Sequence, residues 1–409
     1  MSRRARPGFT LRGILCALFA LQIALTPLWG CSAALAAEAP PAAVADNLLV
    51  ADFKTGRVLF SERADEAHIP ASLTKIMTMY VLFDDIAAGR VTMEDMVSIS
   101  QNAWSTEGSK MYVLVGTKVK LLDLVKGITV MSGNDACVAV AEHVAGNETS
   151  FVDRMNAKAK ELGMTETHFV DPHGLSDENR TSARDLLTLT RAYLASYPET
   201  LQFHSLKEFA YTAPGESAKD PQFNRNRLLW NYPGAYGLKT GFTTRAGFNM
   251  VALVERSGFD VVVIVLGSAK GLSIEGGEKA RGEIVTSLLD WSFRNYAHVE
   301  TGEPGVTVDK VRVWKGKGKF AEAVAPQGLG ATVEKGMEDQ VTSEVVLRTD
   351  LEAPIRKGVK VGEVVFSAGG QEVGRVDLVA KNDVPKGNIF RVMWDSLARA
   401  LSRVFKKQS

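Results

Sequence analysis

Two apolar runs flank a polar centre in NLLVADFKTGRVLFSE, which predicts two strands around a short turn, with Gly56 supplying the turn backbone. HIPASLTKIMTMYVLFDDIAAG then predicts a helix that starts near Pro70 and stops at Gly89. That helix is apolar on nearly every side, the mark of a buried helix. From about Met93 to Pro198 the pattern is mostly helical. LLDLVKGITVMSGNDACVAVAEHVAG divides into two helices at Ser132-Gly133, and FVDRMNAKAKELG and TSARDLLTLTRAYLA predict two more. Strand patterns return in AYGLKTGF, AGFNMVALVERSG and FDVVVIVLGSA, and the long helix GGEKARGEIVTSLLDWSFRNYA follows them. Strands at both ends with helices between predict an α+β domain on an antiparallel sheet.

After His298 the period changes. VRVW, AEAVAP, SEVVLRT, GEVVFS and GRVDLVA alternate apolar and polar residues between Gly, Pro or charged turns, which predicts a small all-β domain. KGKGKF is expected as a solvated hairpin turn. The tail GNIFRVMWDSLARALSRVFKKQS turns helical, with Ile389, Phe390, Met393, Trp394, Leu397, Leu401, Val404 and Phe405 on one face and most cations on the other. Trp and Phe among basic flanks fit a helix lying in a membrane interface, the alternative being a helix docked on its own protein. The expected divisions are a signal peptide at 1–36, a catalytic domain at 37–298, a β-rich domain at 299–386 and an amphipathic anchor at 387–409.

The 409 residues exceed one ordinary core, in keeping with that division. The first residues are basic, the next apolar, and ALAAEAP offers a cut after Ala36, which is the order of a secretory signal. A retained membrane span is the alternative, disfavoured by a short, prolyl-broken apolar stretch. The sequence before Cys31 bears a weak likeness to a lipoprotein processing site, although Trp29 suits it badly. Cleavage after Ala36 removes Cys16 and Cys31, leaving Cys137 as a buried packing thiol with no disulfide partner. The formal charge of +1 conceals four arginines in the leader and a basic tail, so the body between them is acidic. An acidic body does not suggest nucleic-acid binding, whereas a basic tail suits an anionic membrane surface.

The chemistry concentrates in three places. Ser72 and Lys75 sit three apart near a helix start, so both share a face, and a lysine deprived of water can serve the serine as base. Ser132-Gly133-Asn134 puts polar groups at a break between apolar helices, where they need partners or a ligand. A rival Ser100-Gln101-Asn102 reads as an exposed turn or helix start. Lys239-Thr240-Gly241 offers a cation and a hydroxyl suited to a carboxylate. The same tripeptide at Lys54-Thr55-Gly56 precedes the serine and is explained by a turn. The six histidines form no metal-ligand spacing, and neither metal nor cofactor is expected.

SxxK, SxN and KTG in that order are the signature of penicillin-binding proteins and related β-lactamases. With IPASLTKIMTMYV, GITVMSGNDACVAVAEHVAG, HGLSDENRTSARDL, FNRNRLLW and GLKTGFTTRAGFN, nearly all of the mature chain resembles the low-molecular-mass penicillin-binding proteins that are D-alanyl-D-alanine carboxypeptidases. The resemblance implies a penicillin-binding/β-lactamase-like transpeptidase fold, a β-rich second domain and a membrane-anchoring tail. It also implies export to the periplasmic face of the bacterial inner membrane. Ser72 would attack the carbonyl between the last two D-alanines of a peptidoglycan stem peptide, and β-lactams would acylate the same residue. Lys75 would accept its proton, and Ser132 would relay one to the leaving D-alanine. Asn134 would hold the substrate amide, while Lys239 and Thr240 bind the terminal carboxylate with weak help from Arg225. Gly241 would leave room for the substrate, and the amides of Ser72 and Phe242 would form the oxyanion hole. Many carboxypeptidases of this family carry histidine after the KTG, so Phe242 is a departure that bears on turnover. A D,D-endopeptidase would use the same residues. A class A β-lactamase would need an E-x-x-x-N loop that is missing between Asn134 and Lys239. An inactive wall-binding scaffold would not need the intact motifs.

Overall fold

The strand that opens the fold pairs with one more than two hundred residues away. In the computed structural model, which describes residues 38–406, β1 (Asn47–Asp52) runs antiparallel both to β2 (Val58–Glu62) and to the distant β5 (Phe259–Ser268). The expected leader, its cut after Ala36 and Cys31 all lie outside the described residues. β3 (Ala235–Thr243) and β4 (Gly247–Arg256) complete an antiparallel sheet in the order β2-β1-β5-β4-β3.

Each sheet face has its own core, set by the two-residue repeat of the strands. Leu49, Ala51, Val251, Leu253, Val262 and Ile264 point into the helical lobe. Their neighbours Leu48, Val50, Ala252, Val263 and Val265 pack against Val285, Leu288 and Trp291 of a long helix on the other side. Burial on both faces explains why β5 reads FDVVVIVLGS without polar alternation.

The lobe contains α1 (Lys75–Ala87), α2 (Asn134–Ala145), α3 (Glu148–Glu161) and α4 (Ala183–Ser196), and the long helix behind the sheet is α5 (Ile274–Asn295). As expected, α1 is buried on almost all sides, and Gly89 follows its end with φ +70°. A two-stranded ribbon, Met96–Ser98 with Lys118–Lys120, interrupts the expected helical stretch. It is too short for a periodicity to register.

α5 passes directly into β6 (Tyr296–Gly302), the first strand of the β-rich part. β7 (Thr307–Arg312), β8 (Phe320–Val324), β9 (Leu329–Glu334), β10 (Thr342–Leu347), β11 (Lys360–Ala368) and β12 (Gln371–Ala380) follow. Five of them form a sheet in the order β7-β8-β12-β11-β10, while β6 pairs with β9, around a core that includes Val311, Val361, Phe366 and Leu378. The two parts are joined at Asp52, whose buried carboxylate accepts from the Thr332 hydroxyl and lies 3.0 Å from His298 Nδ1.

The tail is helical over α6 (Ile389–Lys406). Its Asp395 is buried and accepts from the Lys315 amide at 2.7 Å, and the Lys317 amide donates to the Pro385 carbonyl at 2.8 Å. The KGKGKF turn is therefore not simply solvated. It seats the start of the tail.

Candidate active site

Ser72 lies in a single 3-10 turn, Ala71–Thr74, that feeds directly into α1. The positive end of the helix dipole there favours negative charge beside Ser72. Ala71 enters the turn with φ +50°, a left-handed conformation that costs a residue with a side chain about 1–2 kcal/mol.

Lys75 turns back along the same face. Its Nζ lies 3.0 Å from Ser72 Oγ, 2.7 Å from Asn134 Oδ1 and 2.6 Å from the His173 carbonyl. The side chain is fully buried, and this burial pushes its pKa below the ordinary lysine value despite the nearby acidic groups Asp171 and Asp135. The arrangement suits a neutral amine. Two N–H groups can go to Asn134 and His173, leaving the lone pair for the Ser72 proton.

Ser132 terminates a helical stretch, Leu121–Lys126 continued by Gly127–Met131, in the left-handed region at φ +57°. Such a conformation in a non-glycine residue marks a site where the fold holds a side chain in place. Ser132 Oγ accepts from Lys239 Nζ at 3.0 Å, and the same Nζ donates to the Thr240 carbonyl at 2.9 Å. Burial, reinforced by the charges of Lys75 and Arg225, holds Lys239 well below the ordinary lysine range. Asn134 opens α2, and its Nδ2 donates to the Glu107 carbonyl at 2.7 Å. Gly108, with φ +86°, permits this contact, because a Cβ there would lie 2.6 Å from Asn134 Nδ2.

Gly241 has a close neighbour of its own. A Cβ at 241 would stand 2.9 Å from the Pro70 carbonyl oxygen and 3.1 Å from Ser72 N, so the bare backbone lets β3 press against the turn that carries Ser72. Thr240 is buried beside it. Phe242 stacks on Phe248 with ring centroids 4.3 Å apart, so its ring is engaged in packing where a histidine would offer a polar group. A cleft of about 300 Å³ brings Ser72, Asn134, Arg225 and Phe242 together, with the loop at Gly108–Lys110 on its rim.

The rival motifs lie in ordinary structure. Lys54-Thr55-Gly56 forms the β1–β2 turn, with Gly56 at φ +78° and Lys54 Nζ 3.3 Å from the Gly258 carbonyl. Ser100 caps the helix Gln101–Ser105 by accepting from the Ala103 amide at 2.9 Å. Cys137 is buried within α2, and burial pushes its thiol up to about 12. Among the described residues no group of three or more His, Cys, Asp or Glu side chains is placed to hold a metal ion.

Three supporting residues escape the motif reading. Asp135 accepts from the amides of Met111 and Tyr112, each at 2.8 Å, which anchors the rim loop from below. Asp171 accepts from the Ser176 amide at 2.7 Å and shapes the turn whose His173 carbonyl meets Lys75. Burial pushes His173 down to about 4, so its ring is neutral at physiological pH. Asp135 and His173 stood in quoted segments, SGND and HGL, but nothing in their spacing assigned them a partner.

A family profile for D-alanyl-D-alanine carboxypeptidase matches residues 34–270, more than half of the chain. The chain belongs to the D-alanyl-D-alanine carboxypeptidase family. A second profile, for the C-terminal domain of penicillin-binding protein 5, matches residues 296–386. The chain is 34% identical to D-alanyl-D-alanine carboxypeptidase DacA of Haemophilus influenzae, over 90% of its length and 92% of that protein's. It is 36% identical to DacC of Escherichia coli, over 87% and 88%. Among solved structures, penicillin-binding protein 5 of Haemophilus influenzae superposes with a TM-score of 0.69 at 33% identity, covering 85% of this chain and all of that one. Penicillin-binding protein D2 of Listeria monocytogenes, in an ampicillin-bound form, superposes with a TM-score of 0.53 at 25% identity, covering 61% of this chain and 97% of that one.

Proposed function

We propose that this member of the family removes the terminal D-alanine of peptidoglycan stem pentapeptides through an acyl-enzyme on Ser72. The observation that carries the reading is the placement of a fully buried Lys75 amine 3.0 Å from Ser72 Oγ, with the Asn134 and His173 oxygens placed to take its two hydrogens. As Ser72 Oγ attacks the carbonyl between the last two D-alanines, Lys75 takes the hydroxyl proton. The oxyanion is held by the amides of Ser72 and Phe242. Collapse of the tetrahedral adduct breaks the peptide bond, and the departing amine takes its proton by way of Ser132. Water then releases the shortened peptide and restores Ser72. Lys239 and Thr240 hold the terminal carboxylate, Arg225 adds positive charge at the cleft, and Asn134 meets the peptide amide.

The same serine takes β-lactams. The ampicillin-bound relative supports that reading, and among the described residues no glutamate lines the cleft as a base for rapid release, so the adduct persists. The protein works on the periplasmic face of the inner membrane after loss of its signal peptide, held there by α6. Incubating the purified protein with a pentapeptide ending in D-Ala-D-Ala tests the activity. Mass spectrometry should find the loss of one alanine in wild type and none in Ser72→Ala. A penicillin adduct mapped to any other residue would overturn the assignment of Ser72.

A further inference from the structure

We infer that Asn249, which lies beneath the cleft, is a positioning residue that sets the spacing between the nucleophile turn and β3. The inference rests on the reading of Ser72 as nucleophile and of the Ser72 and Phe242 amides as the oxyanion hole. Asn249 is fully buried in β4, directly opposite Gly241. The pairing of β4 with β5 slips between Phe248 and Met250, so Asn249, still paired with Gly241 of β3, stands opposite a bulge of β5. A bulge next to a site re-aims a side chain. Here the Asn249 amide leaves the sheet and spans to the turn before Ser72.

Both donors of that amide serve this link, and its oxygen holds it to β5. Nδ2 donates to the Ile69 carbonyl at 2.9 Å and to the Pro70 carbonyl at 3.0 Å, while Oδ1 accepts from the Gly267 amide at 2.8 Å. The Pro70 carbonyl is the same oxygen that a Cβ on Gly241 would approach to 2.9 Å. Strand and turn are thus pressed together at one point and tied together at the same point. Glycine sets how near they come, and asparagine keeps them from parting. The two amides proposed for the oxyanion hole lie on opposite sides of this contact, one on the turn and one on β3. A hole of fixed width stabilises the tetrahedral adduct more than the planar ground state, so loosening it lowers kcat while leaving carboxylate binding intact.

Asn249→Asp removes both donors at nearly constant shape, and Asn249→Ser retains at most one. The measurements are kcat and KM on the soluble pentapeptide, the rate of penicillin acylation, and the affinity for a D-alanine-type peptide boronate, which forms a tetrahedral adduct on the serine. Asn249→Asp should lower kcat, acylation rate and boronate affinity by about 10–100-fold, within the range for weakening one oxyanion contact. KM should stay within about twofold, and Asn249→Ser should fall between it and wild type. Should Asn249→Asp not fold, Gly241→Ala tests the same spacing from the strand side and must reduce boronate affinity more than affinity for the shortened peptide product. Folded variants with unchanged boronate affinity, or with losses confined to KM, would overturn the inference. A penicillin adduct that survives Ser72→Ala would instead sink the nucleophile assignment, so the two failures are distinguishable.

Discussion

Lys239 Nζ donates to Ser132 Oγ at 3.0 Å across 107 residues of sequence, which joins the second and third motifs directly through their side chains. This contact separates the two KTG tripeptides. Lys239 faces Ser132 within the buried centre, whereas Lys54 reaches only the Gly258 carbonyl beside a hairpin turn. Lys239→Ala should lower kcat/KM on the pentapeptide by about 10–100-fold, the scale of losing a hydrogen bond to a charged group. Lys54→Ala should stay near wild type. Equal losses from both would break the distinction.

Because burial depresses Lys239 so far, binding a carboxylate against it should draw in a proton. Calorimetric titration with a peptide ending in D-alanine, repeated in buffers of different ionisation enthalpy, reads that uptake. Affinity should fall as pH rises through the depressed range of Lys239. Net proton release on binding would contradict the depressed lysine.

The acid limb of the reaction should belong to Lys75. Its burial lowers its pKa, so the amine becomes free to accept the Ser72 proton below the ordinary lysine range, and acylation rises with pH as it deprotonates. His173, pushed by burial down to about 4, is already neutral there and contacts Lys75 through its carbonyl rather than its ring. The penicillin acylation profile of His173→Gln should therefore keep the wild-type limb, while Lys75→Arg should abolish acylation. Loss of the limb in His173→Gln would transfer the assignment to the histidine.

A second titration belongs to stability. Burial raises the Asp260 carboxyl to about 7, against the hydrogen bond donated by the Tyr236 hydroxyl, whose oxygen lies 2.7 and 2.8 Å from the two carboxylate oxygens. The unfolded group has the ordinary value near 3.8, so the folded protein holds the extra proton between the two values. The resulting stability is fully present below about pH 4 and is lost as pH rises through about 7. Asp260→Asn should flatten that part of the stability curve, measured by denaturant unfolding from pH 4 to 8. Tyr236→Phe, which removes the donor to the carboxylate, should shift the decline to higher pH. An unchanged slope in Asp260→Asn would place the titration elsewhere.

The sequence announces what is periodic or chemically rare. β1 to β5 and the long helices follow from apolar runs and helical period, and the three motifs follow from the few residue types able to activate a serine. What it withholds is pairing at a distance. Nothing in NLLVAD announces that β1 lies between β2 and β5, because strand order depends on which faces must be covered. Nothing in GNDA announces that Asp135 will hold the amides of Met111 and Tyr112. Gly241 shows the same limit. Its role as space for substrate followed from the tripeptide, yet the close approach of Pro70 and Ser72 to its missing Cβ is visible only in the fold.

The tail carries the last prediction. Ile389, Phe390, Met393, Trp394 and Leu397 are all exposed, between 56% and 78%, on a helix whose buried Asp395 bonds to the Lys315 amide. The protein thus grips the polar side of α6 and leaves the apolar side uncovered, which disfavours a helix docked through its own apolar stripe. The side chains of Leu401, Val404 and Phe405 lie outside the described residues. Among the described residues no helix is long and apolar enough to cross a membrane; the uncovered apolar side of α6 is what supports the proposed interfacial anchor. Burying each large apolar side chain contributes about 1.5–3 kcal/mol, and each cation near an anionic surface adds about 1 kcal/mol. The apolar contribution dominates, so high salt should weaken binding to anionic vesicles without abolishing it. Deleting the chain after Lys386 should leave the protein in solution beside vesicles, with its rate on the soluble pentapeptide little changed, since Ser72, Ser132 and Lys239 all lie on the sheet-and-helix part. Sedimentation with vesicles of the truncated protein, or failure of the intact protein to sediment with them, would exclude the anchor.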